Sequence, residues 1–434
     1  MSLYLSTSII LVAMVAAFIL STKFLKSPDI SLAITAVVGV LGAVCFGWTT
    51  NFAGILVEGL FVNLDIAILF ITASVFVSLY SASGAITSIT RRLVSRFNSK
   101  WILLAFMGLF MLIPGALTGA GSISIFVLGS MVATVVGAMG LSKKKTAAFV
   151  FMFAIMSAAC PPVNLWAMMI ASGADIPYVG FELPLLAPLV IVSIFTIIFL
   201  GWGTKRQSKE EILASLPEEG EKMSWWRILT PLVVLIALFL LSNFAAHSIP
   251  VLGLPLMFVL AAVAAVICNP KKMKLKDYGR VLNNTFEQIF PLIATVLSVG
   301  MLQNAMSASG VKGLIGITFI TLPVIWIYIT VLFVAPFLQG ALNYGSAVVF
   351  GAPLIFLFNS MGFDPKIVAV ALSLMFPIGD CLPPSRITGR LAIEAVGYEG
   401  KYTSFLLAVL VPCLALGLIA LSMMIWPNFF TFLI

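Results

Sequence analysis

The sequence predicts an all-α polytopic membrane protein made of two inverted-topology repeats, with helical hairpins and proline-broken helices. Three observations predict it. The 434-residue chain is 61% hydrophobic and only 9% charged, and its charges gather into runs between uncharged stretches of about 20 residues, the length that crosses a bilayer as a helix. The sequence Ser-Ala-Ser-Gly occurs at 81–84 and again at 307–310. Two hydrophobic segments are broken by paired prolines in matching places, Pro161-Pro162 and Pro383-Pro384.

In chain order, Leu3 to Ser21 forms the first span and Lys23 and Lys26 mark a basic loop. Ile30 to Trp48 leads to a loop without Lys or Arg, so the N-terminus lies outside if basic loops face the cytoplasm. Asp65 to Ile89 crosses inward and is anchored by Arg91, Arg92, Arg96 and Lys100. Trp101 to Leu112 runs outward and is expected to break at Pro114-Gly115. Ala116 to Ser122 is too rich in glycine and hydroxyls for an ordinary span. Ile123 to Leu141 returns to Lys143-Lys144-Lys145, Ala147 to Ile170 carries the first double proline, and Leu183 to Trp202 crosses inward.

These segments make a first membrane repeat over 1–203. Residues 204–227 are the only extended polar stretch, with Lys205, Arg206, Glu210, Glu211, Glu218, Glu219 and Lys222 ahead of Trp225-Trp226. They read as a cytoplasmic connector with an interfacial aromatic anchor. The second repeat, 228–434, follows the same plan. Ile228 to His247 and Val251 to Cys268 are spans, Lys271, Lys272, Lys274, Lys276 and Arg280 form a basic loop, and Phe290 to Gly310 ends in the second Ser-Ala-Ser-Gly. Gly340 to Ser346 answers the earlier glycine-rich stretch and Met361-Gly362 answers Met139-Gly140, always 222 to 226 residues apart. A constant offset across so many features marks an internal repeat.

Charge gives the orientation of the halves. Between Ser-Ala-Ser-Gly and the double proline the first half carries Arg91, Arg92, Arg96, Lys100 and Lys143 to Lys145, whereas the second has only Lys312 and Lys366. After the double proline the first half has no Lys or Arg before its next span, but the second has Arg386, Arg390 and Lys401. Equivalent loops therefore face opposite sides, with seven passes expected per half.

Composition also excludes. The formal net charge of +8 lies in loops flanking spans, which fits the positive-inside bias and not nucleic-acid binding. Cys45, Cys160, Cys268, Cys381 and Cys413 are scattered through apolar segments without metal-ligand spacing. The first apolar segment lacks a preceding basic region and a small-residue cleavage pattern, so it reads as a retained span. A paired intramembrane Asp, a His-containing metal motif, a nucleophile–base pair and a nucleotide-binding motif are all missing from the sequence, so neither an enzyme nor an ATP-driven pump is expected. His247, the only histidine, is assigned no role.

Consecutive prolines remove two backbone donors and stop or unwind a helix. Free backbone at membrane depth is tolerated only inside protein or along a polar cavity, and a matched pair of broken segments points to the binding site of a secondary transporter.

Over nearly its whole length the chain resembles the large, DctM-like membrane subunit of the tripartite ATP-independent periplasmic (TRAP) transporters of the ion transporter superfamily. The resemblance is carried by Ser83-Gly84-Ala85-Ile86-Thr87 with Arg91-Arg92-Leu93, by Gly115 to Ser122 followed by Leu128-Gly129, and by the two double prolines. The second break differs from the family pattern at Leu382, Ser385 and Arg386. The resemblance implies an elevator-type, sodium-coupled importer of small carboxylates in the bacterial inner membrane. It also implies a small four-helix membrane subunit and a periplasmic binding protein as partners, and no cofactor beyond the coupling ion.

Sodium is hard and takes several oxygens, which unwound helices supply as carbonyls. One ion is expected near Thr118, Gly119 and Ser122 against the carbonyls of Ser157, Cys160 and Pro161, and a second near Gly345 and Ser346 against Gly379 and Leu382. The same small residues also suit plain close packing of helices. Substrate contacts are expected from Arg386, its repeat mate Asn164, Asn343, Ser385 and Asp380, an intramembrane charge being costly to bury without purpose. For Arg386, pairing with Asp380 or snorkelling to the surface stand as alternatives. Tyr344, Gln303 and Asn304 either line the same cavity or bond helices together.

Overall fold

The computed structural model describes residues 2–217, 223–244, 252–270, 273–383 and 385–434. Glu218, Glu219, Lys222, His247, Val251, Lys271, Lys272 and Pro384 lie outside the described residues. Every described element is helical, and ten helical stretches are long and apolar enough to cross a membrane.

The first half contains α1 (Leu3–Leu25), α2 (Pro28–Cys45), α3 (Phe52–Val62), α4 (Leu64–Ala82), α5 (Ala85–Arg96), α6 (Lys100–Thr118), α7 (Gly121–Ser124), α8 (Ser130–Ala138), α9 (Lys143–Ala158), α10 (Leu165–Gly173) and α11 (Glu182–Gly201). A short α12 (Lys209–Ser215) lies in the connector. The second half contains α13 (Trp225–Phe244), α14 (Leu254–Cys268), α15 (Leu275–Ala308), α16 (Val311–Thr321), α17 (Val324–Leu342), α18 (Ala352–Ser360), α19 (Pro365–Met375), α20 (Ile387–Val396), α21 (Tyr402–Ile425) and α22 (Pro427–Phe430).

Equivalent residues do equivalent local work in the two halves. Gly84 (φ 85°) and Gly310 (φ 69°) adopt the left-handed conformation that ends one helix and starts the next. Ser83 and Ser309 donate back to the carbonyls of Tyr80 (2.7 Å) and Ala305 (2.6 Å). A π-helical turn interrupts the return limb of each hairpin, at Ile125–Gly129 and Ala347–Gly351. Such turns are rare and concentrate at functional sites, so their recurrence at one repeat position ties both hairpins to the same task.

Three boundaries differ from the sequence expectation. The span expected over Asp65 to Ile89 ends at Ala82, because Gly84 turns the chain into the separate, strongly amphipathic α5. The helix expected to break at Pro114 runs on to Thr118, where Gly119 (φ 73°) stops it. Thr118 Oγ1 donates to the Pro114 carbonyl at 2.8 Å, an i to i−4 back-bond in the last turn of the helix. The span expected from Phe290 is the latter part of the 34-residue α15, which at 1.5 Å per residue is roughly 51 Å long and outreaches the bilayer core.

The helices form two groups. In one, α15 packs along α2, α3 and α4, α14 packs on α4, and α1 on α2. In the other, α6 and the 3-10 turn Phe376–Cys381 flank the hairpin limbs, with α9 against α6, α20 and α21, and α17 against that turn. Beyond their first turns both α9 and α19 are buried on every side, with Phe149, Phe151, Phe153, Leu372 and Met375 at or below 1% exposure. Helices apolar all round belong in the centre of such a bundle.

The connector is strapped to α5 and α6. The Arg91 guanidinium donates to the carbonyls of Leu213 in the last turn of α12 and of Leu216 and Pro217 just past it. Arg92 donates to the Met223 carbonyl and lies over the Trp225 ring, and Lys100 Nζ reaches the carbonyls of Gly201 (2.9 Å) and Thr204 (2.8 Å). Arg91→Ala leaves three carbonyls without their cation, at about 1 kcal/mol each. Limited proteolysis should then cleave between residues 209 and 217 at least several-fold faster than in the wild type, with the membrane helices still intact.

Candidate functional site

Each broken helix meets the tip of its own half's hairpin. In the first half the Val163 amide donates to the Ala116 carbonyl at 3.0 Å, seating the break on the end of α6. In the second half the Ser385 amide donates to the Gly340 carbonyl at 3.1 Å. The equivalence follows from sequence, since a proline-freed backbone next to a glycine-rich tip allows main chains to approach without side chains between them.

The halves join through one amide. Trp166 Nε1 is a donor only, so the Gln339 oxygen must face it, at 2.7 Å. The same oxygen accepts from Ser346 Oγ at 2.8 Å. The Gln339 nitrogen is thereby turned to Asp380 Oδ1 at 3.0 Å, while Thr388 Oγ1 donates to Asp380 Oδ2 at 2.8 Å. Trp166, Gln339, Ser346 and Thr388 are buried. Two further bonds cross between the halves nearby. Asn164 Nδ2 donates to Ser373 Oγ at 3.0 Å, and the Tyr344 hydroxyl donates to the Gly119 carbonyl at 3.1 Å. The Tyr344 and Trp166 rings lie 4.9 Å apart.

The expected site residues fall into distinct places. Thr118 and Gly119 form the first tip, and Ser122 is half-buried one residue into α7. Ser157 Oγ is bonded to Ser124 Oγ (2.9 Å) and to the Ala154 carbonyl, and its own carbonyl receives the Cys160 amide. Pro161 is half-buried and faces a separate apolar void with Leu117, Phe239 and Met257. Asn164 caps α10 through Ala167. Asn343 (φ 49°) forms the second tip, where its carbonyl receives Ser346 Oγ.

Gly345 faces Leu32 on α2. It is Gly340 that meets the second break. A Cβ added there would lie 3.0, 3.2 and 3.3 Å from the carbonyl oxygens of Pro383, Leu382 and Gly379. Ser385 Oγ is buried with no partner among the described residues. Three carbonyls thus close on Gly340 at a distance only glycine permits, and two of them also accept backbone amides, Gly379 from Leu382 and Leu382 from Arg386.

Asp380 is held by Gln339 and Thr388, whereas the Arg386 guanidinium lies over the Tyr402 ring at 5.1 Å. Tyr402 is fixed in turn by its hydroxyl's bond to the Cys381 carbonyl, 2.8 Å. Gln303 and Asn304 belong elsewhere. Gln303 Nε2 donates to the Ser172 carbonyl and Asn304 Nδ2 to the Ile55 carbonyl, both at helix crossings.

Sequence reasoning did not find Gln339, Trp166, Ser373 or Thr388. Gln339 had a usable signal, being a lone amide inside an otherwise apolar span, where an unpaired polar group is costly. Trp166 had none, since tryptophan in an apolar helix is ordinary.

Two hairpin tips set on two proline-broken segments, inside a multi-pass helical bundle, define a membrane protein of transporter architecture. No family model matches the chain, and no curated protein matches it. Solved structures do. The chain is similar to the YdaH transporter of Alcanivorax borkumensis, described as having an unusual topology, with a TM-score of 0.63 and 12% identity over 89% of this chain and 90% of that one. It is also similar to MtrF of Neisseria gonorrhoeae, described as illuminating a class of antimetabolite efflux pumps, with a TM-score of 0.64 and 13% identity over 87% of this chain and 84% of that one. At such identity the likeness carries the fold.

Proposed function

We propose that the protein is a secondary active, sodium-coupled importer of small organic acids of the C4-dicarboxylate or sugar-acid class, acting as the large permease subunit of a TRAP transporter in the bacterial inner membrane. The observation that carries this reading is the joining of the two breaks through Trp166, Gln339 and Asp380. A site shared by two repeats is what alternating access requires, because each half can open it to one side. In this reading one Na+ is held near Thr118, Gly119 and Ser122 with carbonyls of the first break, and another near Gly340 and Ser346 with the carbonyls of Gly379 and Leu382. The substrate's carboxylate is met by Arg386, whose fork matches it in a bidentate manner, with Asn164, Asn343, Ser385 and Asp380 around it. The hairpin group moves as an elevator along α2, α4 and α15. A small four-helix subunit and a periplasmic binding protein complete the system.

A second reading, a stand-alone symporter or exporter needing no binding protein, is favoured by the description of MtrF as an efflux pump. Uptake of labelled dicarboxylates and sugar acids into proteoliposomes under a sodium gradient tests both. Transport appearing only with a soluble binding protein supports the first, transport by the chain alone supports the second, and sodium-independent transport removes the ion sites. With an active preparation in hand, Arg386→Ala should raise the apparent KM for the anion about tenfold or more, the loss of one charge-assisted contact. An unchanged KM would take Arg386 out of the site.

A further inference from the structure

An apolar void of about 310 Å³ lies between α1, α2, α15 and α16 on one side and the second hairpin on the other. Leu11, Met14, Val15, Leu302, Met306 and Leu342 are among its walls. The polar group there, Thr35 Oγ1, is spent on the Ser31 carbonyl at 2.7 Å. The equivalent space beneath the first hairpin is nearly closed. Phe76, Tyr80 and Ile89 stand 226 residues before Leu302, Met306 and Ile315 and leave only about 50 Å³. The larger void is therefore made by the side chains of the second half and is not a by-product of the repeat fold.

Along α1 the lining residues Leu11, Val15 and Ile19 stand four apart, and about 12 Å of helix separates the first from the last. The same stripe continues to Thr22, Lys23 stands in the last turn of α1, and Lys26 (φ 54°) is the left-handed residue just past its end. Val15 and Ile19 are 50% and 59% exposed, so the void opens on the outer face of α1. Thr22 Oγ1 is buried with no partner among the described residues, and both lysines are exposed. Dry apolar cavities accept apolar guests, and two exposed cations at the end of the helix that walls the void answer a phosphate.

We propose that this void holds an acyl chain of a membrane phospholipid whose phosphate is met by Lys23 and Lys26. The guest sits directly under the second hairpin's tip, because Gly345 rests on Leu32, itself a wall of the void. Native mass spectrometry of the full chain, purified in a mild detergent, tests this alongside Leu302→Phe and Met306→Tyr, which install aromatic side chains of the kind the first half already carries at these positions. The wild type should retain phospholipid, and each filled variant should lose it at least about tenfold while keeping the wild-type elution volume. A variant that misfolds leaves the other to decide. Lys23→Gln with Lys26→Gln should lower retention several-fold. Equal retention in the wild type and a folded filled variant overturns the proposal, as does a retained molecule identified as detergent or free fatty acid, or retention indifferent to the lysines. The readout needs no transport, so it stands or falls separately from the proposed function.

Discussion

Gln339→Leu is expected to destabilise the protein by about 3 kcal/mol or more and to abolish transport. One side chain bonds Trp166 Nε1, Ser346 Oγ and Asp380 Oδ1; Ser346 Oγ keeps the Asn343 carbonyl without it, but the indole N–H and the carboxylate oxygen lose it, and each buried polar group left without its partner costs about 1–3 kcal/mol. The losses share one network and will not add simply. A graded series separates a hub from a bystander. Trp166→Phe removes one of the three bonds while keeping most of the ring volume, so it should cost about 1 kcal/mol. Thermal unfolding in detergent, followed by the intrinsic fluorescence of the remaining tryptophans, measures the order. If Gln339→Leu melts with the wild type, the amide does not join the halves in the way its geometry indicates.

Gly379→Ala should be more damaging than any other single methyl addition at the second break. The added Cβ would lie 2.0 Å from the Pro336 carbonyl oxygen and 2.8 Å from Gln339 Cβ. A backbone carbonyl inside α17 has no rotamer by which to retreat, so the 3-10 turn and α17 must separate. Overpacking a tight core costs about 1–3 kcal/mol and occasionally more, and here we expect the upper end. Displacing the turn would also drag Asp380 from Gln339 and move the carbonyls of Gly379 and Leu382 away from Gly340. Gly313→Ala supplies the control. Its Cβ would meet nothing within 4 Å, and in the first turn of α16 alanine is at least as good a helix residue as glycine. Equal yields of folded protein for the two variants would show that the 3-10 turn is not clamped against α17.

The sequence by itself determined that the chain is a helical membrane protein and that regular helix is lost at the two paired prolines. These properties are local to the chain. A span needs only apolar length, a break needs only consecutive prolines, and the repeat shows in residues such as Gly84 and Gly310, whose missing Cβ lets them take the left-handed conformation a helix end uses. Thr118, Gly119, Gly379 and Leu382 were legible as tip and break residues for that reason. Only the tertiary structure decided which groups face one another. The Trp166–Gln339 bond joins residues 173 positions apart, and the rotation of α17 about its own axis sets Gly340 against the second break while Gly345 meets α2. The continuation of α6 through Pro114 was hidden for a related reason, since proline reports a missing donor but not the neighbouring helices that hold α6 straight on either side of it. Helix rotation and crossing are set by the packing of the whole bundle, a sum of many small contacts that the hydropathy of one segment does not contain.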